Sequence, residues 1–273
     1  MTDVLAGGAS RCSQQLYRIE QPVPGKTVPV VASMPHSGTF VPPSIARAFT
    51  PLHRAWLRST DWYLPQVYDF LPELGVTTIA ATHSRYVTDL NRDPEGLLFG
   101  SFRKSVFSDS MFDGTPIYRE APDAQSLLRR LVKYHSPYHE ELSNILGRAL
   151  TSCDRVLLLD LHSFFGPIDD DICIGDLRGA SCHQETTTIA VNAFERRGFR
   201  VVCNEPFSGG YLIRKHHNAS TEALQIELHY ATYLDCRRID EPVRPQIDTK
   251  RLQHLKPRLR NAFKEIIDLW CAK

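Results

Sequence analysis

The sequence has no run of 18 or more apolar residues, so no membrane-spanning helix is expected. Its opening, MTDVLAGGASRCSQQ, lacks the long apolar core of a secretory signal. Net charge is nearly absent: 32 Lys and Arg meet 31 Asp and Glu, a formal +1. A general nucleic-acid binder carries a basic excess, so that class is set aside. The seven cysteines are odd in number and form no CxxC pair. That argues against a disulfide framework and a cysteine-built zinc site, and for reduced thiols in the cytoplasm. No P-loop, GxGxxG, GxSxG or HExxH motif occurs, which removes the common nucleotide, serine-hydrolase and compact zincin signatures. There is no internal repeat, low-complexity stretch or linker-like shift in composition. The economical reading is one domain over 1–273, with the segment to about residue 18 poorly ordered.

The composition itself is globular, with 42% hydrophobic and 23% charged residues. Apolar runs alternate with helical stretches. The run VPVVASMPHSG (28–38) reads as a buried strand opening into a loop, and 76–90 begins as another. RVLLLDLHSF (155–164) has four consecutive apolar residues before Asp160 and is expected to end at His162 and Ser163. FRVVCNEPF (199–207) reads as a short strand. In ALQIELHYATYLD (223–235), the alternation of Leu224, Ile226 and Leu228 favours a strand. Helices are expected at about 53–73, 123–150, 184–197 and 248–272, with Pro137 kinking or breaking the second. The resulting fold class is α/β, a sandwich whose sheet is mixed and mostly parallel. Ligands of such sheets bind beyond the carboxyl ends of the strands, where the polar clusters fall.

His36 and His162 stand at the exits of two buried strands. Imidazole is a good zinc ligand, and a catalytic zinc takes three protein ligands with one position open. Asp61, in Ser59-Thr60-Asp61-Trp62, is the chosen third ligand, while Asp160 is an alternative that orients a histidine. Glu227 shares a strand face with Gln225 and His229, opposite Ile226 and Leu228. Partial burial raises the pKa of such a carboxyl and suits it to proton shuttling, whereas a salt-bridged edge-strand glutamate is the plainer reading. Arg85 and Arg92 each offer a bidentate fork to a carboxylate, with Asn91 adding a hydrogen bond. At least one of the two arginines is expected to be structural, pairing with Asp89 or Asp93 instead. Gly209-Gly210-Tyr211 is either a plain turn or a close backbone approach with a tyrosine donor. His135 and His139 have helical ligand spacing, but Pro137 lies between them; His139 is read as a pocket-wall group. His216 and His217, and the acidic run 169–171, read as solvated loops.

Taken in order, MPHSGTFVP, STDWY, SRYVTDLNRDPEG, YHSPYH, LDLHSF, NEPFSGGY and ALQIELHYATYLD resemble the N-formylglutamate amidohydrolase family. The resemblance runs from about residue 30 to 235, and SRYVTDLNR is its strongest element. It implies a three-layer α/β/α sandwich similar to the zinc carboxypeptidases, with one Zn2+ per chain. It implies hydrolysis of N-formyl-L-glutamate to formate and glutamate, a late step in histidine degradation. Carried over residue by residue, it gives His36, Asp61 and His162 as metal ligands and Glu227 as the catalytic glutamate. Arg85 and Tyr211 join Glu227 in catalysis, and Arg92, Asn91 and His139 bind substrate. The chain departs from the family pattern after His162 (HSFFGPIDDDICIGDLRG) and after Tyr211 (LIRKHHNAS), both pocket loops. A related enzyme acting on another N-acyl amino acid, or a non-catalytic binding protein of this fold, is the alternative.

Overall fold

The computed structural model describes residues 14–272. It opens with β1 (Tyr17–Glu20) and β2 (Val30–Met34). Three short helices come next, α1 (Pro43–Ala46), α2 (Pro51–Trp56) and α3 (Leu64–Val67), before β3 (Thr77–Ala81). A small ribbon, β4 (Phe99–Gly100) and β5 (Phe107–Ser108), leads to α4 (Ala124–Arg130) and α5 (Ser136–Leu150). Then come β6 (Val156–Phe164), β7 (Ile172–Gly175), α6 (Gln184–Glu195) and β8 (Val201–Cys203). The chain closes with α7 (Tyr211–His216), β9 (Thr221–His229), the ribbon β10 (Leu234–Asp235) and β11 (Gln246–Ile247), and α8 (Thr249–Cys271).

Seven strands form one sheet in the order β1-β3-β2-β6-β9-β7-β8. The four central strands β3, β2, β6 and β9 are parallel, and antiparallel pairings join β1 to β3 and β7 to β9. Period-two alternation splits each central strand between two cores. Leu157, Leu159 and Leu161 of β6, with Leu224, Ile226 and Leu228 of β9, pack against α6 and α8. Val156 and Leu158, with Ala223, pack against α5 and α7 on the other face. Helices therefore cover both faces, giving the expected three-layer α/β/α sandwich with a mixed, mostly parallel sheet.

Several local expectations change. The helix expected over 53–73 is broken into α2, α3 and a turn at Pro72–Leu74. Leu57, Ser59 and Tyr63 adopt left-handed backbone angles, and Pro65 and Pro72 remove N–H donors that one helix would need. The run through 124–150 survives Pro137 because residues Leu131–His135 widen into a π turn. The acidic run 169–171 is a partly exposed loop, as expected, and leads directly into β7, with Asp171 accepting from the backbone N–H groups of Arg200 and His229. His216 is buried in α7 rather than solvated, because Leu212 and Ile213 anchor that helix in the core. Within the N-terminal segment, Tyr17 and Arg18 pair with Ala81 and Ala80 as an edge strand, whereas residues 1–13 lie outside the described part. Among the described residues, no helix is long and apolar enough to cross a membrane.

Candidate metal centre and active site

The face of β6 that begins with Val156 and Leu158 continues with Asp160 and His162. In the next strand the same face carries Gln225 and Glu227, with Asp160 beside Gln225 and His162 beside Glu227. His36 lies just past β2, also at the carboxyl end of its strand. The broken helix delivers the third group: the N–H of Asp61 donates to the carbonyl of His36 at 3.0 Å. Gly38 lets the loop close here, since a Cβ would lie 2.2 Å from the carbonyl oxygen of His83.

His36, Asp61 and His162 are all buried, and a donor atom from each lies within 4.8 Å of the other two. Nδ1 of His162 is 3.0 Å from Oδ2 of Asp61, and Nδ1 of His36 is 3.8 Å from the same oxygen. The far nitrogens face carboxylates instead. Nε2 of His36 donates to Asp89 at 2.7 Å, and Nε2 of His162 contacts Asp160 at 2.9 Å. A carboxylate behind each imidazole fixes its tautomer and leaves Nδ1 as the ligand atom, the usual arrangement around a bound metal. The floor is also rich in acceptors. Oδ1 of Asp160 and Oε1 of Gln225, register neighbours, have no hydrogen-bond partner among the described residues. The donor set of two imidazoles and one carboxylate suits a catalytic zinc.

Burial lowers the pKa of His36, which keeps that ring neutral. For His162 burial works the same way, but Asp160 and Asp61 outweigh it and raise the group well above the ordinary imidazole range. A dication held there would take the place of that proton. Burial pushes Glu227 up to about 8, with Asp61 and Asp160 adding to the rise and His162 opposing it. Gln225 donates to Glu227 Oε1 at 3.1 Å, and both are buried.

Of the two arginines, Arg85 is the one that pairs with Asp89, at 2.7 Å, and it also donates to the carbonyl of Ser59. Arg85 and His36 together outweigh the burial of Asp89 and hold its carboxyl well below the usual range. Asp89 is the group the residue patterns undervalue. They offer it as an arginine partner, and only the fold brings it behind His36. Arg92 donates to the carbonyl oxygens of Asn91 and Phe102, and its Nε has no partner among the described residues. Asn91 lies 3.2 Å from Nε2 of His162 and accepts from the N–H of Leu212. Gly210 makes that contact possible, because a Cβ would lie 2.2 Å from the Asn91 amide. Tyr211 and His139 sit together to one side, their rings 5.4 Å apart. His139 has both ring nitrogens engaged, with Leu90 and with His216.

A family model described as N-formylglutamate amidohydrolase matches residues 28–234, well over half of the chain. The chain belongs to that family. An N-formylglutamate deformylase of Pseudomonas aeruginosa is 35% identical over 221 residues, covering 76% of this chain and 83% of that one. Another, of Pseudomonas putida, is 31% identical over 76% and 82%. Among solved structures, an N-formylglutamate amidohydrolase from Ralstonia eutropha superposes with a TM-score of 0.78. It is 23% identical and covers 93% of this chain and 99% of its own. A gene product of Agrobacterium tumefaciens superposes at 0.72 with 15% identity, over 94% and 95%. These two show the fold. Family and curated relatives together make this member a hydrolase acting on an amide.

Proposed function

We propose that the chain hydrolyses the formyl amide of N-formyl-L-glutamate to formate and L-glutamate, using one Zn2+ held by His36, Asp61 and His162. The observation that carries the reading is the convergence of those three buried side chains beside Glu227, in a chain whose curated relatives are named deformylases. When bound, zinc supplies Lewis acidity toward a carbonyl oxygen and an acidified water. The protein supplies the rest. The Glu227 carboxylate takes a proton from the attacking water as the carbon–oxygen bond forms. It then returns that proton to the amide nitrogen as the carbon–nitrogen bond breaks, so one group serves as base and acid.

Arg85, locked by Asp89, holds positive charge in a fixed place, and Tyr211 adds a hydroxyl; both are assigned to the developing oxyanion. A well-placed donor of that kind is worth about 3 kcal/mol. Arg92 takes a substrate carboxylate, supported by Asn91, and fixes the amide for attack. His139 supports that segment from behind. Residues 1–273 are read as one amidohydrolase domain, since the family match and both helical layers share one sheet. The six described cysteines have free thiols, which suits a cytoplasmic enzyme of histidine degradation.

The test is formate or acyl release from a panel of N-formylglutamate, N-formylaspartate and N-acetylglutamate. N-formylglutamate is expected to give the highest kcat/KM. A higher value for either of the others would move the assignment to that substrate.

A further inference from the structure

In the stretch YHSPYH, His135 has no part in the chemistry just described and His139 only backs the recognition segment, yet both histidines are buried against it. α4 and α5 run on through the π turn Leu131–His135, where the N–H of Ser136 bonds back five residues to Leu131. Such turns insert one residue into a helix and rotate the phase of the downstream turns. Here the rotation lets Pro137 enter the first turn of α5 and puts His135 and His139 side by side, ring centres 4.6 Å apart.

Both rings point at one short piece of backbone. Nε2 of His135 is 3.1 Å from the carbonyl oxygen of Arg92, and Nε2 of His139 is 2.9 Å from that of Leu90. A carbonyl oxygen only accepts, so each Nε2 carries the hydrogen. His139 Nδ1 is then an acceptor, and His216 Nε2 donates to it at 3.0 Å. Tyr211 packs on both rings, 5.9 Å and 5.4 Å away. The residue between the two gripped carbonyls is Asn91, which meets His162 on one side and the N–H of Leu212 on the other. Burial lowers the pKa of both histidines, consistent with neutral rings that each donate once.

We propose that His135 and His139 are positioning residues: they grip the carbonyls of Arg92 and Leu90 and so set the aim of Arg92 and Asn91 at the substrate carboxylate. The proposal rests on the reading of that segment as the recognition site. Neither histidine touches the reacting atoms. Freeing a buried carbonyl lets the segment shift, and small misplacements of a binding group weaken orientation steeply.

The test exploits geometry. Glutamine places its amide where Nε2 stands, while asparagine reaches only to Nδ1. His135→Gln and His135→Asn are compared with wild type as zinc-loaded protein. Steady-state kinetics on N-formylglutamate and amide hydrogen exchange of the peptide spanning 90–92 are read together, with zinc content as a control. His135→Asn is expected to raise KM about tenfold, with kcat within about threefold, and to speed exchange in that peptide. His135→Gln is expected to restore both readings. Equal KM and exchange in wild type and His135→Asn would overturn the grip, as would a defect that His135→Gln fails to correct. If wild type releases no formate from N-formylglutamate, the functional reading fails, and the exchange contrast between the variants still decides the grip.

Discussion

The two faces of β6 and β9 are equally buried and chemically opposite. Toward α8 the middle positions are all apolar, Leu157, Leu159 and Leu161 beside Leu224, Ile226 and Leu228, and the polar groups at the ends are each satisfied, Glu222 by Trp270 and Thr186 and Ser163 by Tyr233. Toward α5 the strands begin apolar, with Val156, Leu158 and Ala223, and then turn to Asp160, His162, Gln225 and Glu227. Glu227 is 8% exposed and Asp160 fully buried, so water does not supply the missing solvation. Four polar side chains at the buried end of one face cost stability unless partners compensate. Here they partner one another, Asp61 and Asn91, and leave acceptors for a cation. One face is given over mainly to packing, and the other gathers the groups proposed for the chemistry.

The largest effect that sharpens this contrast is on Glu227. Glu227→Gln keeps the shape and removes the proton carrier, so kcat is expected to fall by about 10²- to 10⁴-fold with zinc still bound. Formate release and zinc content, measured on the same sample, check it; near-normal kcat would remove Glu227 from the reaction. On the other face, Leu157→Ala is expected to cost about 2–5 kcal/mol in denaturant unfolding, with kcat per folded molecule unchanged. Lost turnover without lost stability would erase the division between the faces.

Histidine burial provides a finer contrast. His162 meets Asp61 and Asp160, which raise its pKa. His53, packed against Phe49 and Tyr86, has no partner on either ring nitrogen among the described residues, and burial lowers it to about 4. Its folded-state value lies below the unfolded value of about 6.5, so the unfolded chain binds the proton more tightly. Stability from this group is full above pH ~6.5 and is lost as pH falls toward 4, about 3 kcal/mol in all. Chemical unfolding from pH 7 to 4 should show His53→Leu losing less stability than wild type, and parallel curves would contradict this. The smallest expected effect is at Asp160. Asp160→Asn keeps the contact to His162 but weakens the basicity of the imidazole, lowering zinc affinity about 10- to 100-fold in chelator competition. Unchanged affinity would mean that Asp160 does not tune the metal.

The strands around the site are readable from sequence, because uninterrupted runs such as VLLLD announce burial on both faces. The exits of those strands lead directly to His36 and His162, and alternation places Glu227 opposite Ile226 and Leu228. Asp89 is less visible: its partners lie 53 residues away at His36 and four away at Arg85, and local pattern shows only the second. The break that delivers Asp61 escapes detection because residues 53–73 look helical by period, while left-handed Leu57, Ser59 and Tyr63 are settled by tertiary contacts. The π turn is hidden for the same reason. Pro137 reads as a helix breaker unless the preceding turn is free to widen. The four-residue β1 and β7 offer too little pattern to register, whereas the still shorter β8 is read from its β-branched Val201 and Val202 ahead of a turn-rich exit.

The central claim is that His36, Asp61 and His162 hold the metal on which amide hydrolysis depends. The most direct measurement is elemental analysis of the purified protein before and after chelation, with formate release from N-formylglutamate read on the same samples. The account predicts about one zinc per chain, activity lost with the metal, and activity restored when zinc is returned. Full formate release from metal-free protein would contradict it.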